Sequence, residues 1–218
     1  MRLALFDVDG TVLRGNSWHE YFWWTIGRRP ALAPRLLALL VLRGARAIAG
    51  RTLREAALRP LRGLDAAAVA KLGRRVNDER LLPLVRPAAR RAILRSVADG
   101  CVPVLATGAF DFLAQPLAVE LGVAEVICTK LEFADGCCRG RIAGPELRGA
   151  AKAGAVRAHF EGRDVDWAGS RAFSDDREDA PLLSLVGEPW FVSRGAVADE
   201  GLPATVRGVD WDGSGTDD

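Results

Sequence analysis

Residues 3–15 read LALFDVDGTVLRG, and this stretch decides the fold. Arg2 to Val8 is a short apolar run that carries Asp7 and Asp9 at its end, with Gly10 following at once. A strand that is apolar on both faces belongs inside a parallel sheet covered by helices on both sides. Two acids at the carboxyl end of such a strand stand where ligands bind in open α/β sheets.

Working outward, the period changes at Ser17. Trp18, Tyr21, Phe22 and Thr25 fall at i, i+3, i+4 and i+7, which is the spacing of an amphipathic helix. Ser17 with Glu20, and Thr52 with Glu55, have the spacing of capping boxes, and Asp65 is placed to cap a further helix. Nothing between Asn16 and Pro83 reads as a strand, so residues 16–83 are expected to be an all-helical insertion. Beyond it an α/β rhythm begins. Pro87 opens a helix closed by Gly100, and CVPVLA is a buried strand ended by Thr107-Gly108. A helix then runs to Gly122, VICTKLEF is a strand, and Asp135-Gly136 turns it into a hairpin with CCRGRI. Lys152 lies near the start of another helix, Arg171 to Ser174 is a short strand running into DDRED, and WFVS is the last strand. The expected fold is α/β: a Rossmann-like parallel sheet with helices on both faces, plus the helical insertion. Its core is residues 1–15 and 84–211, and the polar tail 212–218 is expected to be disordered.

The residues at the strand and helix ends carry the chemistry. Asp7 and Asp9 follow the first strand, Thr107 and Gly108 a second, and Asp175, Asp176 and Asp179 a late one, with Lys152 at a helix start. Carboxylates this close repel one another unless a cation sits among them, and a hard divalent ion with oxygen ligands, Mg²⁺ above all, resolves the repulsion. A lysine, a hydroxyl and loop N–H groups beside that ion make a phosphate site. Simpler roles exist for each residue taken alone: a turn for Asp9, a strand-end cap for Thr107, a solvated helix position for Lys152, a helix N-terminal acid for Asp179.

Taken in order, FDVDGTVLRG, LATGAF, the lysine of GAAKAG and SDDREDAPLL resemble the four signature motifs of the haloacid dehalogenase-like (HAD) hydrolases. The text between them is similar to the branch that contains phosphoserine phosphatase, and the insertion falls where that branch has its helical cap. The resemblance implies a Mg²⁺-dependent phosphatase with Asp7 as nucleophile and Asp9 as general acid and base. It also implies Asp7, Asp175 and the Asp9 carbonyl as metal ligands, Asp179 as a residue that orients the ion's waters, and Thr107, Gly108 and Lys152 as the phosphate grip. Asp176 departs from the family pattern, which has a small residue there. In phosphoserine phosphatases a glutamate just past the first motif receives the substrate ammonium. Asn16 stands at the matching position here, with Glu20 nearby, so a small phosphorylated metabolite other than phosphoserine is expected.

Charge is unevenly spread. Between Arg14 and Pro83 fourteen basic residues face five acids, a net +9, while the whole chain carries +2. A basic insertion over an acidic core suits an anionic substrate. It leaves two further readings open: a phosphatase of lipid or other membrane-surface phosphates using Leu36–Leu42 and the insertion arginines, or a non-catalytic Arg-rich module on the same scaffold. No nucleic-acid partner and no membrane-spanning segment is expected, while peripheral membrane contact is allowed. Four cysteines without CxxC spacing and an N-terminus too acidic for a signal peptide point to a reduced, cytoplasmic protein. His19 and His159 lack a partnering pattern and are expected to be packing or surface residues.

Overall fold

A computed structural model describes residues 1–193 and 201–212. Among them seven strands form one sheet in the order β4-β3-β2-β1-β5-β6-β7. The strand expected from residues 2–8, β1 (Arg2–Phe6), is central and pairs in parallel with β2 (Cys101–Phe110) and β5 (Arg171–Ser174). Parallel pairing extends through β3 (Glu125–Ala134) on one side, and through β6 (Glu188–Val192) and β7 (Arg207–Val209) on the other. Only β4 (Cys137–Ala143) runs antiparallel, at the edge.

Alternation along β1 explains why both faces are covered. Leu3 and Leu5 share a core with Val156 of α7 (Gly149–His159) and with Leu182 and Leu183 of α8 (Ala180–Leu183). Ala4 and Phe6 point the other way, into a core with Ile93 of α5 (Pro87–Ala98) and Leu113 and Leu117 of α6 (Asp111–Leu121). Phe6 also stacks on Phe173 of β5 with ring centroids 4.8 Å apart, which ties together the two strands whose ends carry Asp7 and Asp175.

Residues 17–84 hold α1 (Ser17–Arg28), α2 (Ala33–Gly44), α3 (Gly50–Leu58), α4 (Ala66–Val76) and short 3₁₀ and π turns, with no strand. The insertion leaves and re-enters the core at one place. The Arg14 N–H donates to the Leu84 carbonyl and the Arg86 N–H to the Val12 carbonyl, each at 2.9 Å. It then rests on the core through α4 and α6, which approach so closely that a Cβ on Gly73 would lie 1.8 Å from the Phe112 carbonyl oxygen.

Several local expectations are corrected. The N-cap of α1 is Asn16, whose side chain accepts the His19 N–H at 3.1 Å, while Glu20 turns to Arg80 at 3.2 Å. Asn outcompetes the adjacent Ser because the chain at Asn16 is extended and the helix begins one residue earlier than the capping box requires. The second box fails for a similar reason: α3 starts at Gly50, which puts Thr52 inside the first turn, and Glu55 pairs with Arg51 at 3.1 Å. Asp65 does cap α4, accepting the Ala68 N–H at 2.7 Å. Strand β2 does not stop at Thr107-Gly108 but continues to Phe110, with a break in register between Thr107 and Phe110. The last strand is β7, three residues too short to show alternation. Asp212 of the expected tail forms ion pairs with Arg14 and Arg86, whereas 213–218 lie outside the described residues.

Candidate active site

The loop after β1 is folded back on itself, with the Gly10 N–H donating to the Gly15 carbonyl at 3.0 Å and the Leu13 N–H to the Val8 carbonyl at 2.8 Å. Gly10 has φ +83°, and a Cβ there would fall 2.1 Å from Asp175 Oδ2, so only glycine lets the β1 and β5 loops approach. Thr11, fully buried, locks them. Its hydroxyl donates to Asp175 Oδ1 at 2.8 Å and accepts the Asp175 N–H at 2.9 Å. Asp9 Oδ1 accepts the Ser17 N–H at 2.7 Å, which fixes that carboxyl at the start of α1.

Lys152, in the first turn of α7, is buried between two acids. Its Nζ donates to Asp7 Oδ1 at 2.7 Å and to Asp179 Oδ2 at 2.6 Å, and the Ser174 hydroxyl donates to the same Asp179 oxygen at 2.7 Å. Burial works against the Lys152 ammonium, but Asp7 and Asp179 more than overcome it and hold its pKa above the usual lysine value. Burial pushes Asp7 up to about 7, with Asp179 and Asp9 adding to the rise and Lys152 opposing it. Asp9 is raised by burial against the Ser17 N–H, and Asp175 by burial against the Thr11 hydroxyl. Three carboxyls whose ionised forms are all disfavoured by burial, beside one lysine, form a donor set that a hard divalent cation would complete. Asp7 and Asp175, from neighbouring strand ends, are the side chains that could hold it. Asp179 faces Lys152 instead. Among the described residues no three His, Cys, Asp or Glu side chains form a ready cage, and the expected set asks for only two carboxylates and a carbonyl.

These groups open into a cavity of about 720 Å³, whose lining includes Asp7, Asp9, Gly108, Lys152, Asp175 and Asp179. Asn16 lines it too; Glu20 and Thr107 do not. Thr107 is fully buried and its hydroxyl accepts the Ala109 N–H at 3.0 Å, the strand-end capping role weighed for it from sequence. Asp176 lines the rim and caps the turn that follows, accepting the Glu178 N–H at 2.9 Å.

Residues 4–184 match the family model of the haloacid dehalogenase-like hydrolases. The chain belongs to that family. This HAD hydrolase is 28% identical over 191 residues to the phosphoserine phosphatase SerB1 of Mycobacterium tuberculosis, covering 84% of the chain and 62% of that relative. The chain thus spans less than two thirds of that relative's length. A Bordetella pertussis Tohama I structure of a protein with unknown function matches at 28% identity and TM-score 0.75, covering 88% of this chain and 89% of that one. A structure of a phospho-aspartyl intermediate analogue of phosphoserine phosphatase shares the fold at TM-score 0.59 and 18% identity, covering 88% and 86%.

Sequence reasoning missed part of the HAD hydrolase's site. Arg54 of α3 reaches across the cavity, donating to the Gly108 carbonyl at 2.8 Å and pairing with Glu146 at 2.9 Å, over the Phe110 ring. Burial lowers its pKa, with Glu146 opposing. No local pattern marks Arg54 among the insertion's twelve arginines. Thr11 and Ser174 stood inside quoted motifs, and only the register of β1 against β5 shows what they hold. Trp18 and His19 line the cavity. His159, by contrast, lies away from it and meets Glu125 at 2.8 Å.

Proposed function

We propose that this HAD hydrolase is a Mg²⁺-dependent phosphomonoester hydrolase that works through an aspartyl-phosphate on Asp7, and that its helical insertion is the cap closing over a small phosphorylated substrate. The observation that carries the reading is the buried Asp7–Lys152–Asp179 chain at the mouth of the β1 and β5 loops, open to the cavity.

Lys152 engages Asp7 Oδ1, which leaves Oδ2 as the oxygen to attack phosphorus in line. The bond from phosphorus to the ester oxygen breaks, and that oxygen takes a proton from Asp9. Burial favours the protonated form of Asp9, as a general acid requires. Asp9 then takes a proton from water, whose oxygen attacks phosphorus, releases phosphate and restores Asp7. Lys152 and the Gly108 N–H grip the phosphoryl oxygens. Bound Mg²⁺ would screen the nucleophile from the anionic phosphate and stabilise the equatorial oxygens. Ser174 and Lys152 keep Asp179 placed at the edge of that site.

Phosphoserine is not the favoured substrate. Asn16 is neutral and its side-chain oxygen is already used to cap α1, so it offers no carboxylate to an ammonium. Hydrolysis of p-nitrophenyl phosphate should require Mg²⁺ and disappear in Asp7→Asn. Turnover that survives chelation, or survives that substitution, would reject the proposal.

A further inference from the structure

The exposed side of α2 carries a run of apolar residues. Pro34, Leu37, Ala38, Val41, Leu42 and Ala45 are all exposed, Val41 at 71%. Spacings of three and four place them along one side of the helix, while Leu36 is buried on the other. From Tyr21 to Arg54 the chain holds seven arginines and not one acid. Four of the seven are engaged: Arg28 with Glu79, Arg29 with the Pro60 carbonyl, Arg51 with Glu55 and Arg54 with Glu146. The other three, Arg35, Arg43 and Arg46, are exposed, and their side chains have no ion pair or hydrogen bond among the described residues; Arg43 lines the cavity, which leaves Arg35 and Arg46 for a partner on the exposed side.

We propose that this face of α2 docks on the surface of an anionic lipid bilayer. An apolar stripe bordered by unpaired arginines is complementary to acyl chains beneath anionic headgroups, and a helix of this kind lies in the interface plane. A second copy of the chain would bring four unpaired arginines together. A nucleic acid would satisfy the arginines and leave the leucines in water. Only the bilayer answers both features. No helix among the described residues is long and apolar enough to cross a membrane, so the contact is peripheral. Leu40 and Arg43, at i+4 and i+7 from Leu36, line the cavity on the opposite side of the same helix.

The test is flotation of the full chain with vesicles of phosphatidylglycerol and phosphatidylcholine against vesicles of phosphatidylcholine alone, with p-nitrophenyl phosphate hydrolysis read in parallel. Binding to the anionic vesicles, weakened by salt, is expected. Arg35→Gln should lose roughly fivefold in vesicle affinity, and Arg46→Gln the same. Val41→Glu with Leu37→Glu should lose more than either. None of these residues touches the cavity, so soluble turnover should stay at the parent level, and a failure of the phosphatase reading would appear there rather than in flotation. Three results would overturn the proposal: no flotation with anionic vesicles, flotation unchanged in Val41→Glu/Leu37→Glu, or a dimer of the parent chain that these substitutions dissociate.

Discussion

Replacing Lys152 by Met removes the one cation between two buried carboxyls. The side chain is 5% exposed, and those of Asp7 and Asp179 are 6% and 3% exposed. Methionine fills similar volume, so the loss is electrostatic rather than a cavity. Removing one partner of a buried pair costs about 3–5 kcal/mol, because the remaining charge is left uncompensated. For a chain of this length each kcal/mol moves Tm by roughly 2–4 °C, which predicts a fall of about 6–20 °C at pH 8. The penalty depends on pH in a fixed direction. Asp7 has its folded pKa raised to about 7, above its unfolded value, so its ionisation costs stability as pH rises from the unfolded value to about 7, and the cost is complete above that. The Lys152→Met deficit should therefore shrink between pH 8 and pH 5 as Asp7 takes up a proton. Adding Asp179→Asn should recover part of the loss, since one charge then remains in place of two. Thermal unfolding by circular dichroism across that pH range is the assay. A Lys152→Met protein within about 1 kcal/mol of the parent at pH 8, or a deficit that grows on acidification, would refute the electrostatic reasoning.

Gly10→Ala should reduce turnover by about a hundredfold or more, because its Cβ displaces Asp175, while near-ultraviolet circular dichroism stays close to parental. Gly73→Ala should destabilise by about 1–3 kcal/mol in urea unfolding, since the new methyl meets the Phe112 carbonyl where α4 crosses α6. Mg²⁺ should raise Tm more at pH 8 than at pH 5, because it favours the ionised Asp7 that burial otherwise disfavours; an equal rise at both values would count against a cation held by that carboxyl. Arg54→Ala should raise KM and lower stability by about 1–3 kcal/mol, leaving Glu146 unpaired, as steady-state kinetics and unfolding can check.

The sheet was legible because β1 declares itself. Its apolar run, the two acids at its end and the glycine after them are consecutive in sequence, so the strand and its ligand-binding end could be read together. Residues that act within one loop were equally plain, among them Asp65 as a cap and the Asp135-Gly136 turn, whose φ values of +53° and +73° fit a tight hairpin. What failed depended on competition or distance. Asn16 and Ser17 could each have started α1, and spacing alone favoured the wrong one. Thr107 had two available roles, and the one the structure shows is a hydroxyl that accepts the Ala109 N–H within the bulge, its own O–H proton remaining to donate. Arg54, Thr11 and Ser174 act across 54, 164 and 5 positions of sequence, respectively. The short Ser174–Asp179 link alone lay within one motif, yet its meaning rests on Lys152 arriving from α7.

The proposed mechanism phosphorylates Asp7. Acid-quenched protein, incubated with Mg²⁺ and p-nitrophenyl phosphate and digested to peptides, should carry one phosphoryl group on the peptide containing Asp7. The label should be lost in hydroxylamine and absent from Asp7→Asn. Turnover by the parent with that peptide unmodified at every quench time, while Asp7→Asn still hydrolyses the ester, would contradict the account.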